Sequence, residues 1–286
     1  MRAFAEHNPI AVAVYFLCAA GVAMFTMDPV ILVLSLAGAL ALCLHRRGGG
    51  HGLALLLFLA TALVNPLVSH RGETVLFVLN HNPITLESVL YGLAAAAMVL
   101  AVLYWFGSFS AIMTSDRLLY LFGALSPRLA LILSMALRYV PLFGRQLRKT
   151  RQTQQALGLY RDESLVDRWR GEARVFSVMV TWALENGVIT ADSMTARGYG
   201  TARRTHFAAF RFTWRDGLLT MLSLLLAGVA FAAAAGRDFA FYPVIAAEAP
   251  TTLTYFGYAA YGLLALLPLI IDGKEALKWR CLHSKT

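Results

Sequence analysis

A chain of 286 residues that is 58% hydrophobic and only 14% charged, with a mean hydropathy of +0.62, has too little polar surface to cover a water-soluble domain. Such domains ordinarily carry about a quarter charged residues. The three cysteines, Cys18, Cys43 and Cys281, are widely separated and imply neither a disulfide framework nor a thiolate metal site.

Six runs lack Asp, Glu, Lys, Arg and His and approach the ~20 residues that a helix needs to cross a hydrocarbon core. They are Pro9 to Met27, Pro29 to Leu44, Gly52 to Ser69, Ser88 to Ser115, Gly217 to Gly236 and Ala249 to Ile271. The first run has neither a strongly basic start nor a small-residue cleavage site and is expected to be retained. The Asn65-Pro66 pair predicts a helix terminus with Asn as a cap, because proline interrupts the hydrogen-bond ladder. Between the fourth and fifth runs lies a polar block, so the chain divides into residues 1–107 (four apolar helices), 108–215 (cytoplasmic or interfacial) and 216–286 (two apolar helices and a tail). Six spans place 23 Lys and Arg on one side and only Arg71 and Arg237 on the other. By the positive-inside rule this predicts cytoplasmic termini. The bias toward Arg over Lys and the abundance of Ala and Gly suggest a bacterial plasma membrane.

The block from Ser108 to Arg215 holds sixteen basic and seven acidic residues. Its opening runs, Leu118 to Pro127 and Leu129 to Leu137, are too short to span and predict interfacial helices. Arg117, Arg128 and Arg138 would snorkel from these helices to lipid headgroups. From Arg138 onward, Tyr139, Val140, Leu142, Phe143 and Leu147 recur at helical spacing with Arg145, Arg148, Lys149 and Arg151 on the remaining faces. Pro141 is expected to bend this helix near its start. A polar turn from Arg161 to Glu172 leads to a second helix, from about Ala173 to Met194. Each helix of this pair finishes in an Ala-x-Gly triplet, Ala156-Leu157-Gly158 and Ala196-Arg197-Gly198.

Whole mechanisms are absent from the sequence. It has no phosphate-binding G-x-x-x-x-G-K-[S/T], no H-E-x-x-H and no G-x-S-x-G. No ionisable residue falls inside the six runs, where a proton-coupled carrier would keep its relay. His45 with His51, and His70 with His81, are the only histidine pairs near enough in sequence to suggest a metal, and simple loop polarity is the favoured reading of both. The basic block carries no nucleic-acid-binding motif. A membrane enzyme would draw on His206, Asp192 and Glu185.

These features resemble the transmembrane coupling subunit, or T component, of energy-coupling factor (ECF) importers, the EcfT/CbiQ-like family. The resemblance rests on Asn65-Pro66-Leu67, Thr85-Leu86-Glu87, Leu137-Arg138-Tyr139-Val140-Pro141-Leu142, Met194-Thr195-Ala196-Arg197-Gly198 and Asp272-Gly273-Lys274, in this order and over nearly the full length. It implies an all-α polytopic membrane protein with about six transmembrane helices and a cytoplasmic pair of long coupling helices. It also implies no cofactor and no catalysis by the chain itself. The implied partners are two ATP-binding cassette ATPase subunits, or one fused duplicated ATPase, and a small membrane-embedded S component that binds the vitamin or metal ion. The arginine of each helix-end triplet docks in one ATPase, which assigns docking to Ala196, Arg197 and Gly198 and to Ala156, Leu157 and Gly158, with Arg138, Pro141, Arg151 and Arg161 supporting. Leu157 departs from the family pattern, which has arginine there. Either the two ATPase grooves differ, or Arg151 or Arg161 substitutes. A secondary transporter and a membrane-embedded enzyme are the alternatives.

Overall fold

The computed structural model describes residues 3–46, 51–69, 72–79, 82–159, 165–201, 210–236, 239–243, 246–247 and 249–283. They form two compact units, one of Met1–Arg117 with Phe210–Thr286 and one of Leu118–Ala209.

The first unit is a helical bundle. After a single turn, α1 (Ala3–Glu6), come α2 (Pro9–Phe25), α3 (Pro29–His45), α4 (His51–Val68) and α5 (Leu86–Ile112), and after the intervening block α9 (Trp214–Ala235) and α10 (Thr252–His283). Each expected apolar run is a helix. Four of these helices, α4, α5, α9 and α10, are long and apolar enough to cross a bilayer. The other two, α2 and α3, have 17 residues each, at the short end of the spanning range of roughly 17–25. The chain is an all-α polytopic membrane protein with two short β-hairpins, β1 (Val75–Leu79) with β2 (Asn82–Thr85) and β3 (Phe239–Ala240) with β4 (Ala246–Ala247).

Helix starts are set by local chemistry. Asn8 and Asp28 each cap the helix that follows, accepting the amide hydrogens of Ile10 and Val30 ahead of a proline at the first helical position. Thr85 caps α5 through Ser88, and Thr213 with Asp216 forms a reciprocal capping box on α9.

The core centres on α2. Tyr15, Phe16, Phe4 and Trp105 of α5 meet edge to face, with centroids 5.2 to 6.2 Å apart. In a hydrocarbon surround, apolar contacts between helices gain little over lipid contacts, so close approach and interhelical hydrogen bonds fix the arrangement. Tyr15 donates to the Leu264 carbonyl at 3.1 Å, Tyr261 to Ala19 at 3.0 Å and Trp105 to Ser35 at 3.0 Å. Close approach comes from small residues. A Cβ built on Gly38 of α3 would stand 2.6 Å from the Ala265 Cβ of α10.

Asn65 and Pro66 depart from expectation, since α4 runs on to Val68 with Pro66 inside it. The Asn65 side chain donates across to the Ser88 carbonyl of α5 at 3.2 Å and does not cap its own helix. The Gly92 backbone of α5, lacking a Cβ, lets the two helices approach at that point. The last helix also overruns its apolar run. Asp272 lies within α10, which continues to His283, because the Phe4 amide donates to the Asp272 carboxylate at 2.9 Å and removes the need to end there.

The second unit holds the end of α6 (Ser115–Leu125), then α7 (Pro127–Ala156) and α8 (Leu165–Ala196). The apolar run Leu129 to Leu137 and the amphipathic helix expected from Arg138 are one continuous 30-residue helix. Arg128 and Arg138 do not interrupt it, because arginine is a good helix former and their exposed side chains reach outward. Pro141 therefore sits near the middle of α7, and a helix of this length tolerates the one hydrogen bond that proline removes. The described part of the expected polar turn, from Leu165 to Glu172, is the start of α8, and residues 160–164 lie outside the described residues. Its charges lie on a helix, where Glu172 makes the ion pair described next.

Candidate functional site

The helices α7 and α8 pack antiparallel. Tyr139 bonds Thr190 at 2.8 Å, the rings of Phe143 and Trp182 meet edge to face at 5.6 Å, and Arg151 bonds Glu172 at 2.6 Å, so residue numbers rise along one helix as they fall along the other. The two Ala-x-Gly ends consequently face opposite directions. Counting 1.5 Å per residue outward from the Tyr139–Thr190 contact, Ala156 and Ala196 are separated by up to roughly 35 Å along the pair.

Both ends are closed in the same way. At the end of α7 the Gly158 amide donates to Gln155 at 2.9 Å and the Leu159 amide to Gln154 at 3.0 Å. At the end of α8 the Gly198 amide donates to Thr195 at 2.9 Å and the Tyr199 amide to Met194 at 3.0 Å. This is the Schellman pattern, with the glycine in the left-handed region at φ 68° and 75°. A Cβ on Gly158 would meet nothing within 4 Å, so backbone conformation and not space requires glycine there. Leu157 and Arg197 occupy the same cap position, one residue before the glycine, and both are exposed. The cap glycine fixes where each side chain leaves the helix. Two rigid helix ends thus present different chemistry in one geometry: an apolar side chain at one, a guanidinium with five donors at the other. A basic residue there also complements the α8 dipole, so Arg197 suits a helix end as well as a partner. Beyond Gly198 the chain turns again, with Gly200 at φ 93° and the Thr201 hydroxyl donating to the Gly198 carbonyl at 2.7 Å.

The supporting residues fare differently. Arg138 and Pro141 are exposed on α7. Arg151 is engaged with Glu172 inside the helix pair. Arg161 lies outside the described residues, as do His206, His70 and His81. Glu185 and Asp192 are exposed on α8. His51 lies 3.2 Å from the Tyr104 hydroxyl and His45 lies 3.8 Å from Asp272, so these two rings have separate partners. No cluster of three or more metal-ligating side chains occurs among the described residues.

The cobalt transport protein family, CbiQ, matches residues 5–207, a stretch that includes both helix ends. The chain belongs to the CbiQ family. It is also similar to the energy-coupling factor transporter transmembrane protein EcfT of Brevibacillus brevis (strain 47 / JCM 6285 / NBRC 100599), 33% identical over 100 residues. That alignment covers 34% of this chain and 38% of the relative.

What sequence reasoning missed in this CbiQ-family chain is that, among the described residues, four carboxylates at the edges of the apolar runs are buried. Asp28 accepts the Tyr258 hydroxyl at 2.6 Å, and Glu87 accepts Thr74 at 2.7 Å. Asp216 accepts from Thr213 and from the Asn8 amide, with His7 at 2.7 Å, and Asp272 accepts the Phe4 amide. Each joins segments distant along the fold: Glu87 holds a loop, Asp28 meets α10, and Asp216 and Asp272 hold the N-terminal segment. Local signals existed in Asp28-Pro29 and in Thr213-x-x-Asp216, both helix-start patterns. Nothing local announces the Phe4–Asp272 contact, which joins residues 268 apart in sequence.

Proposed function

We propose that this chain is the transmembrane coupling (T) subunit of an ECF-type importer. In this role it transmits the ATP-driven motion of two ATPase subunits, or of one fused duplicated ATPase, to a membrane-embedded S component that takes up a vitamin or a metal ion. The observation that carries the reading is the helix pair, two long antiparallel helices of nearly equal length whose opposite ends are closed by the same turn. Ends facing apart suit one subunit held between two motors. Rigid helices joined by an ion pair and ring contacts move as levers when their tips are displaced, a shear or hinge motion of packed elements. The chain supplies no catalytic group in this reading, and ATP hydrolysis belongs to its partners. Membership in a cobalt transport protein family and the likeness to a protein named EcfT both support it.

Arg197 docks one ATPase by charge-assisted hydrogen bonds to carboxylates or carbonyls, and Leu157 docks the other through apolar contact. The two ATPase grooves therefore differ, either as two proteins or as two halves of one chain. The test is co-purification of the ATPases with tagged wild type, Arg197→Glu and Leu157→Glu. Removing one partner of a buried charged pair costs ~3–5 kcal/mol, enough to dismantle a transient complex. Arg197→Glu is expected to lose one ATPase or ATPase half from the recovered complex. Undiminished recovery with both variants would remove the helix ends as docks.

A further inference from the structure

A largely apolar cavity of about 260 Å³ opens in the first unit between the end of α3, the start of α4 and the last third of α5. The helices α3 and α4 both pack on α5, and the cavity is the space between them. Leu53 and Leu57 of α4 and Leu103 of α5 supply apolar walls, and Arg46 and Ser108 supply polar groups. Their order in depth follows from the helix ends. Arg46 directly follows the last residue of α3, at the end where α4 begins and α5 finishes. Ser108 lies ~6 Å along α5 from that end, Leu57 ~9 Å along α4 and Leu103 ~14 Å along α5. A polar mouth therefore leads into an apolar interior.

Among the described residues no carboxylate lines this cavity, and Arg46 is its one cationic side chain. Ser108 is 4% exposed, and its hydroxyl has no hydrogen-bond partner among the described residues. A serine within a helix ordinarily turns its hydroxyl back onto the carbonyl four residues earlier, as Ser223 does in α9 at 2.7 Å. A buried hydroxyl in an apolar surround is costly unless an oxygen from elsewhere meets it. Tyr104, also on the wall, already has its hydroxyl 3.2 Å from His51 Nδ1. Gly107 adds room, since a Cβ there would meet nothing within 4 Å. A guanidinium at the mouth, a hydroxyl donor just below it and apolar walls beneath match the phosphate, ester carbonyl and acyl chain of a phospholipid in that order.

We propose that this cavity holds one acyl chain of an anionic phospholipid from the leaflet on the Arg46 side, with the Arg46 guanidinium donating to the phosphate and the Ser108 hydroxyl to the ester carbonyl. The chain fills the space between α3 and α4 and ties them together over α5. This inference does not depend on the coupling role.

The test titrates the purified full chain in detergent with phosphatidylglycerol, with diacylglycerol of the same acyl chains, with the free fatty acid, and with the soluble headgroup glycerophosphoglycerol. Native mass spectrometry and thermal unfolding are the readouts. Phosphatidylglycerol is expected to bind, to raise the unfolding temperature and to displace the fatty acid. Diacylglycerol is expected to bind about tenfold more weakly, and the headgroup alone not at all. Arg46→Gln is expected to weaken phosphatidylglycerol binding about tenfold and Ser108→Ala about fivefold, whereas Arg46→Lys stays within a few fold of wild type. Gly107→Leu puts a side chain into the cavity and is expected to abolish binding, while the lipid-free variant unfolds at the wild-type temperature or above. Arg148→Gln removes one exposed charge from α7 and is expected to leave binding unchanged. Wild-type binding by Gly107→Leu, equal weakening by Arg148→Gln, equal binding of diacylglycerol, displacement of the lipid by the headgroup alone, or a fatty acid that phosphatidylglycerol does not displace would each overturn the proposal.

Discussion

Replacing Gly38 by alanine tests whether close helix approach holds the membrane bundle together. The new Cβ would lie 2.6 Å from the Ala265 Cβ and 3.3 Å from the Ala265 carbonyl oxygen. Carbon atoms in contact prefer ~3.5–4.0 Å, so α3 and α10 must separate by about 1 Å or distort. Overpacking of this kind costs roughly 1–3 kcal/mol, a factor of about 5 to 150 in the folded population. The bundle can dissipate little of it, since the neighbouring Leu264 carbonyl is held by Tyr15 and Tyr261 is fully buried. Thermal unfolding in detergent of Gly38→Ala, Ala265→Gly and the double variant measures the effect. Gly38→Ala is expected to unfold at lower temperature, and Ala265→Gly in the same chain is expected to restore more than half of the loss, the residual reflecting the carbonyl contact. Wild-type stability of Gly38→Ala, or a double variant no better than the sum of the singles, would refute the reasoning.

Other changes probe other links. Phe4→Ala empties a fully buried ring site against Tyr15 and Phe16 and should destabilise the first unit by ~3–5 kcal/mol, measurable in the same unfolding assay. Glu172→Gln should cost less than ~1 kcal/mol, because Arg151 and Glu172 are both more than a third exposed; high salt should shrink the difference between variant and wild type. Gly198→Ala forces an L residue into φ 75° at a cost of ~1–2 kcal/mol and should fray the last turn of α8, seen as faster amide exchange at Arg197 and Tyr199.

The apolar runs and the two Ala-x-Gly ends were legible because their signals are local, namely length without charge and a glycine after a periodic stretch. The antiparallel order of α7 and α8 was not, since it rests on cross-helix contacts such as Tyr139 with Thr190. The start of α7 at Pro127 was obscured by Arg128 and Arg138, which break an apolar count without breaking a helix. Residues 165–172 look like a turn because Asp167, Arg168, Arg170 and Glu172 hide the period, and the buried Gly171 beside the Arg151–Glu172 ion pair marks the face that packs. The geometry at Leu157 was half legible. Its replacement of the family arginine was plain, whereas its equivalence to Arg197 in cap geometry needed the two sets of hydrogen bonds.

Photo-crosslinking in native membranes tests the coupling role most directly. A photoreactive phenylalanine analogue in place of Leu157 or Tyr199 puts a short-range probe at each helix end and leaves Arg197 intact. The account predicts adducts with an ATP-binding cassette ATPase from both positions, carrying different ATPases or different halves of one. Adducts with lipid alone from both positions, while the ATPases are present and assembled, would contradict it.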